Sequence, residues 1–206
     1  MDATNPRPTS PTDTKRRMLL AGGAALAATG AAGLAWRASQ SARVRALLGI
    51  PEQVLDIAAL KPAVPPVPLP DAVLVDAAGN PHALSGFAGT GLVLNFWATW
   101  CAPCVAEMPA LAALARRVAG DGILVLAAAS DSGGAAAVGR FFARHGIDTL
   151  QVWLDPGNAA GLALGTRGIT PVTIIVNRQG RETARLEGPV HWDTGAAVTQ
   201  VRRLTG

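Results

Sequence analysis

The chain has 206 residues, of which 50% are hydrophobic and 16% charged, and its formal net charge is +4. This length suits one ordinary domain plus an additional arm, and the apolar composition argues against intrinsic disorder. The excess positive charge lies in residues 1–70, since residues 71–206 carry ten Arg against ten acids. A region without net charge has no field that attracts phosphates, so no nucleic-acid partner is expected.

Residues 1–36 are predicted to be an export signal or an N-terminal membrane anchor. The uncharged run Met18–Trp36 follows Lys15-Arg16-Arg17, and a basic segment before an apolar core is typical of both. The run is just long enough to cross a bilayer, but it is mostly Ala and Gly, and its arginine pair resembles a twin-arginine signal. Cleavage near Gly33-Leu34-Ala35 and retention as an anchor both stay open, and a buried Ala/Gly-rich helix is the weaker alternative.

Residues 37–70 are predicted to be a linker that ends in a proline-rich spacer. The segment Pro62–Pro70 contains five prolines, which is too many for a helix or a central strand. It therefore predicts a stiff polyproline II segment that holds a domain clear of a membrane. A ligand for an SH3-type domain fits an exported chain less well.

In residues 71–206, short apolar runs alternate with helical patterns, which predicts one α/β domain with a mixed sheet. Gly91–Trp97 and Ile123–Ala129 are continuous apolar runs, typical of strands buried on both faces. The other predicted elements, in chain order, are a hairpin turning at Gly79-Asn80-Pro81, helices over 103–118 and 135–145, a strand over 150–154, a helix over 158–164, a hairpin of strands 172–177 and 181–187, and a final helix capped by Asp193 and ending near Leu204.

The predicted chemistry lies in the pair Cys101 and Cys104. The pair stands between the most apolar strand and the longest helix, so Cys101 falls at a helix N-terminus, where backbone N–H groups stabilise a thiolate. Cys104 follows one helical turn later, within reach of a disulfide bond. We therefore predict thiol–disulfide exchange, in which Cys101 attacks a client disulfide and Cys104 resolves the mixed disulfide.

Two other uses of such a cysteine pair are weaker. A structural zinc site needs four ligands, whereas the chain has only two cysteines, and His82, His145 and His191 are isolated in the sequence. A purely structural disulfide between residues three apart closes a loop too small to add much stability. No metal and no other cofactor is predicted.

The stretch Asn95–Pro109 resembles the active-site segment of exported or membrane-anchored thioredoxins of the TlpA type, whose relatives include ResA and CcmG. The likeness continues in Gly168–Pro171 and in the segments 176–181 and 187–193, so it covers residues 71–206. It implies a thioredoxin fold, with a mixed central sheet flanked by helices. It also implies a position on the periplasmic side of the bacterial inner membrane, either anchored or released after cleavage of the signal.

The resemblance also implies roles for four residues around the cysteines. Pro171 stands at the family's cis-proline, which would pack on the disulfide and leave the backbone of Thr170 free to pair with an extended client segment. Glu107 matches a partly buried active-site acid with a raised pKa, which exchanges a proton with Cys104. Trp100 is expected to shield the disulfide and to form part of the client-binding surface.

Two positions depart from the related patterns. Asn95 stands where ordinary thioredoxin carries a buried, titrating Asp, so proton transfer to the resolving cysteine passes to Glu107 or to water. Thr170 before the proline also occurs in disulfide isomerases, which leaves the redox direction open. Residue types alone do not fix a reduction potential.

By this resemblance, we predict a reductase that takes electrons from a membrane thiol donor and reduces disulfides in exported client proteins. The implied clients are apocytochrome c or the copper-site proteins of cytochrome oxidase assembly. A copper chaperone, a disulfide donor and a peroxiredoxin-type peroxidase are the alternatives. Copper chaperones of this fold have three residues between the cysteines and a distant His, for which His145 and His191 are the candidates, while the peroxidases use a lone reactive Cys.

Overall fold

The computed structural model describes residues 54–206, which form an eight-stranded mixed sheet with four α-helices. The strands are β1 Lys61–Pro68, β2 Val73–Asp76, β3 Pro81–Ala83, β4 Gly91–Trp97, β5 Ile123–Ala129, β6 Trp153–Leu154, β7 Val172–Val176 and β8 Arg181–Glu187, and the helices are α1 Ala102–Val118, α2 Gly134–His145, α3 Ala159–Ala163 and α4 Gly195–Thr205. Across the sheet the order is β1-β8-β7-β4-β5-β6-β2-β3. The neighbours β4, β5 and β6 are parallel, and the other pairs are antiparallel.

Strand β4 is buried along its whole length because both faces of the sheet are covered. Successive side chains of a strand point to opposite faces. Val93 and Trp97 accordingly join the core formed with α1, α2 and α4, while Leu94 and Phe96 join a second core on the other face. The predicted α/β architecture and the predicted strand over 91–97 are therefore confirmed.

Strand β1 corrects the prediction of a polyproline spacer. The two ends of β1, Lys61–Pro62 and Val67–Pro68, pair antiparallel with β8, with an irregularity between them. The backbone carbonyl of Pro66 accepts hydrogen bonds from the Arg181 guanidinium at 2.6 and 3.1 Å. The segment can join the sheet because it lies at the edge. An edge strand has no neighbouring strand on its outer side, so a proline there needs no N–H to donate in that direction. The prolines thus mark an edge strand, and the sheet begins before residue 71.

The segment just before β1 also packs on the domain, although the sequence placed it in a linker. The backbone N–H of Leu55 donates to the carbonyl of Pro189 at 2.7 Å, and its carbonyl accepts from the N–H of His191 at 3.2 Å. Ile57 and Leu60 are buried in the same core as α1. Residues 55–60 therefore hold the loop that follows β8.

The helices agree with the predicted ones except at their ends. Helix α4 begins after Thr194, not Asp193, because the Thr194 hydroxyl accepts a hydrogen bond from the backbone N–H of Ala197 at 3.1 Å. The strand predicted over 150–154 shortens to β6, which has only two residues. These differences change the ends of elements and leave their order intact.

Gly91 begins β4 against Thr205 at the end of α4, and a Cβ at residue 91 would lie 2.5 Å from the Cβ of Thr205. Because overpacking a core costs about 1–3 kcal/mol, we expect Gly91→Ala to lower the free energy of unfolding by that amount in urea titrations. Gly139→Ala is the matched control, since a Cβ there meets nothing within 4 Å. The control should gain up to about 1 kcal/mol of stability from helix propensity, and equal losses at both positions would contradict the packing argument.

The predicted export signal or anchor, residues 1–36, lies outside the residues that the structure describes, as does most of the predicted linker. Within residues 54–206, none of the helices has the length and apolar character needed to cross a membrane.

Candidate active site

A disulfide joins Cys101 and Cys104 at the start of α1. Cys101 is the N-cap of the helix, and its Sγ accepts a hydrogen bond from the backbone N–H of Cys104 at 3.3 Å. An N-cap acceptor faces backbone donors that have no partner within the helix, so this position favours negative charge on the Cys101 sulfur. Cys104 is fully buried, while Cys101 keeps 6% of its surface exposed. Cys101 is therefore the more accessible residue of the pair.

Asp131 holds the loop that carries the first cysteine, and sequence reasoning missed it. Its carboxylate accepts hydrogen bonds from the backbone N–H of Thr99, at 3.0 Å, and from the Thr99 hydroxyl. Asp131 follows β5, the parallel neighbour of β4, so the carboxyl ends of both strands meet at this loop. An acid just after a buried parallel strand was the available signal.

The segment just before β7 contacts the cysteine pair. The Thr170–Pro171 peptide is cis, and the carbonyl oxygen of Thr170 lies 3.7 Å from the Sγ of Cys101. Pro171 is buried, and β7 is the antiparallel neighbour of β4. The structure therefore brings the Cys101–Cys104 pair together with the Thr170–Pro171 peptide, 69 residues further along the chain.

Two exposed apolar side chains stand on the segments that meet at this contact. Trp100, just before Cys101, is 72% exposed, and Ile169, just before Thr170, is 41% exposed. Most of the Trp100 side chain therefore faces solvent. Exposed apolar residues at the mouth of a site are typical of a surface that contacts another molecule.

Glu107 is buried in α1, one helical turn after Cys104. Its Oε1 accepts a hydrogen bond from the Nδ2 of Asn95 at 2.9 Å, and its Oε2 accepts from the backbone N–H of Val190 at 2.9 Å and from the Nε1 of Trp192 at 3.1 Å. Burial raises the pKa of Glu107, while the three hydrogen bonds favour the ionised form and lower it. Burial is the larger effect, and the pKa is about 7. The carboxyl can therefore hold or release a proton near neutral pH.

Asn95 and Thr173 complete this buried network. They are direct cross-strand partners on β4 and β7, and the Asn95 Nδ2 also donates to the Thr173 hydroxyl at 2.9 Å. The Oδ1 of Asn95 is buried and has no hydrogen-bond partner among the described residues. Sequence reasoning singled out Asn95 but missed Thr173, Val190 and Trp192, because each comes from a distant element.

The histidines do not form a metal site in the part of the chain that the structure describes, where no group of three His, Cys, Asp or Glu side chains is suitably placed. His82 bonds the carboxylate of Asp76 at 2.9 Å, and His145 bonds the carbonyl of Phe141 at 2.8 Å. His191 is exposed on the loop after β8.

Comparison with known proteins assigns the family. The model of the family described as Redoxin matches residues 66–201. The chain belongs to the Redoxin family. This match begins within β1 and extends through most of α4, so it includes all the residues of the candidate site.

Two curated relatives of this redoxin are named as disulfide-exchange proteins. The thiol-disulfide oxidoreductase ResA of Geobacillus kaustophilus is 34% identical over 111 residues, which are 54% of this chain and 62% of ResA. The thiol:disulfide interchange protein HelX of Rhodobacter capsulatus is 38% identical over 101 residues, which are 49% of this chain and 54% of HelX. The chain thus spans between half and two thirds of the length of these relatives.

Solved structures establish the thioredoxin fold of this redoxin. A thiol:disulfide interchange protein of the thioredoxin family from Chlorobium tepidum superposes with a TM-score of 0.53 at 23% identity and covers 66% of this chain and 97% of its own. The exposed lipoprotein thioredoxin of Streptococcus pneumoniae gives a TM-score of 0.53 at 24% identity, with 65% and 98% covered. At such identities, the likeness carries the fold alone.

Proposed function

We propose that this protein is a thiol:disulfide oxidoreductase that reduces disulfides in exported client proteins. The observation that carries the proposal is the placement of the Cys101–Cys104 pair, with Cys101 capping α1 and the buried Cys104 behind it. The names of the relatives ResA and HelX support the same chemistry. By the resemblance to TlpA-type proteins, the clients are apocytochrome c or copper-site proteins of cytochrome oxidase assembly.

The reaction transfers two electrons from the reduced enzyme to the client. The Cys101 thiolate attacks one client sulfur, the client disulfide breaks, and the released client thiolate takes up a proton. Cys104 then loses its proton and attacks the sulfur of Cys101, which releases the second client thiolate and leaves the enzyme disulfide. A membrane thiol donor then reduces the enzyme disulfide by the same exchange chemistry and returns the enzyme to the dithiol state.

We assign Glu107 as the group that exchanges a proton with Cys104. It follows Cys104 at a spacing of three residues, which places both on one side of α1. Its pKa of about 7 lets the carboxylate accept a proton when the thiol must ionise and return it later. Three hydrogen-bond donors orient the ionised carboxylate.

The client segment is proposed to lie across Trp100 and the Thr170–Pro171 peptide. Trp100 offers an exposed apolar face, and the backbone of Thr170 passes beside the sulfur that the client must reach. An extended segment paired with that backbone would bring its own disulfide to Cys101. We place this reaction on the periplasmic side of the bacterial inner membrane, with residues 1–36 as signal or anchor.

The reduction potential of the pair tests the direction of electron flow. We expect a value near that of thioredoxin, about −270 mV, because a reductase must hold its electrons at a low potential. The full chain would be equilibrated with glutathione or dithiothreitol and followed through tryptophan fluorescence, since Trp97 and Trp100 lie beside the pair. A value near that of DsbA, about −120 mV, would make the protein a disulfide donor and would contradict the reductase proposal.

A further inference from the structure

In the buried network around Glu107, the Oδ1 of Asn95 accepts no hydrogen bond from any side chain or backbone group of residues 54–206. The same side chain uses both hydrogens of its Nδ2, one toward Glu107 and one toward Thr173, each at 2.9 Å. A fully buried amide with its donor end satisfied and its acceptor end unpartnered is unusual, because buried polar groups are nearly always paired.

All three partners of Glu107 donate hydrogen bonds in this arrangement, which suits the ionised carboxylate. Oε1 faces the Nδ2 of Asn95, and Oε2 faces the backbone N–H of Val190 and the indole N–H of Trp192. When the carboxyl takes up a proton, its O–H needs an acceptor. A peptide N–H and an indole N–H cannot accept a hydrogen bond. These two groups can go on donating to Oε2 as the carbonyl oxygen of the acid, but neither can accept from its O–H.

Asn95 can adapt, because a carboxamide carries a donor at one end and an acceptor at the other. Turning the carboxamide about χ2 brings Oδ1 to face both the Glu107 O–H and the Thr173 hydroxyl. The Thr173 hydroxyl then donates a hydrogen bond to Asn95 instead of accepting one. Nδ2 then occupies the place that Oδ1 holds now. One end of the amide is without a partner in both orientations, so rotation leaves no additional buried group unsatisfied.

We propose that Asn95 is a positioning residue whose carboxamide turns over each time Glu107 gains or loses a proton, with the Thr173 hydroxyl following. When the Cys104 thiol ionises, its proton passes to the Glu107 carboxylate, and the turned amide accepts the hydrogen bond of the new acid. When the acid releases the proton, the amide turns back. No electrons pass through Asn95. The inference rests on the proposed function only for the source of that proton.

The surroundings of the network support this exchange. Burial brings the pKa of Glu107 to about 7, so both protonation states are populated near neutral pH. Strands β4 and β7 contribute uncharged side chains here, Asn95 and Thr173. Close in sequence to Glu107, Val190 and Trp192, the titratable groups are the two thiols of α1 in the reduced protein and the exposed side chains of Glu187, His191 and Asp193. Asp56, also exposed, adjoins Leu55, which bonds residues 189–191. The remaining charged side chains of α1 are Arg116 and Arg117, near its C-terminal end.

Nuclear magnetic resonance on the oxidised, isotope-labelled full chain tests the proposal, because the disulfide removes thiol titration. We expect the Asn95 side-chain amide resonances to titrate with the same midpoint as the Glu107 carboxyl carbon. We also expect the nuclear Overhauser contact between the Asn95 Nδ2 protons and Thr173 to be lost below that midpoint. A contact that persists while Glu107 titrates would overturn the proposal.

Glu107→Gln provides a second measurement that does not depend on titration. The Gln Oε1 takes the place that accepts from Val190 and Trp192, so its Nε2 faces Asn95, which must then present Oδ1. We expect the turned orientation of Asn95 at every pH in this variant, and an unturned amide there would refute the proposal. Thr205→Val, which removes a buried hydroxyl that bonds Val201 within α4, is the control and should leave the Asn95 titration unchanged.

A functional measurement separates a positioning role from a merely structural one. Asn95→Leu should move the inflection in the pH dependence of the resolving step away from its wild-type midpoint, whereas Thr205→Val should keep that midpoint. An unchanged inflection in Asn95→Leu would contradict the proposal. Wild-type protein that shows the coupled titration but no disulfide exchange would support the amide switch while refuting the oxidoreductase function. Disulfide exchange in wild-type protein that lacks the coupled titration would support the oxidoreductase function and refute the amide switch.

Discussion

The substitution Cys101→Ser is expected to reduce disulfide reductase activity to the uncatalysed background. A serine hydroxyl cannot form the mixed disulfide, and Cys104 cannot replace the lost sulfur because it is fully buried. The measurement is the reduction of a disulfide-bonded protein substrate, such as insulin, with dithiothreitol as electron source. Retention of multiple turnovers by Cys101→Ser would refute the assignment of the attacking sulfur.

The matched variant is Cys104→Ser, which keeps the attacking sulfur and loses the resolving one. It should form mixed disulfides with clients that survive on non-reducing gels and disappear on reduction. Cys101→Ser should form none. If both variants trapped clients equally, the order of attack inferred from the burial of the two residues would be wrong.

The substitution Glu107→Gln is expected to alter both stability and the resolving step. Because the folded protein raises the pKa of Glu107 from 4.5 to about 7, it binds this proton more tightly than the unfolded chain does. The resulting stabilisation is fully present below about pH 4.5, falls as pH rises through 7, and amounts to about 3 kcal/mol. Gln carries no charge at any pH, so the wild-type protein should lose about that much stability relative to the variant between pH 4.5 and 8.

Urea denaturation of the oxidised proteins at several pH values measures this difference, since the disulfide removes the cysteine titrations. Glu187→Gln is the control, because Glu187 is an exposed acid paired with Arg167. In the same Glu107→Gln variant, the resolving step should slow by about 100-fold, the usual size of a lost general acid–base contribution. A stability difference independent of pH would contradict the burial argument.

Much of this fold is predictable because its central elements carry local signals. The run Gly91–Trp97 is apolar throughout, as a strand covered on both faces must be, and the cysteine pair that follows begins the helix at the place the sequence indicates. These signals depend on residues close together in the chain. These local signals therefore predict that Cys101 and Cys104 lie at the start of a helix, without any knowledge of the tertiary structure.

The remaining features depend on contacts between distant residues. Two of the donors to Glu107, Val190 and Trp192, lie 83 and 85 residues further along the chain, and no local pattern points to them. The error over residues 61–68 has a different cause. Their prolines disfavour an interior strand, but an edge position removes that penalty, and only the completed sheet reveals which strand lies at the edge.

The proline content of β1 also affects how the protein meets its surroundings. An edge strand normally presents a row of free N–H and C=O groups on which a neighbouring chain can add a strand. Four of the eight residues in β1 are prolines and have no N–H to offer. The proposed reductase function would bring this edge close to exported client proteins whose own strands are not yet paired. With β1 in place, β8 is covered and this side of the sheet resists extension, so encounters with such chains are less prone to end in aggregation.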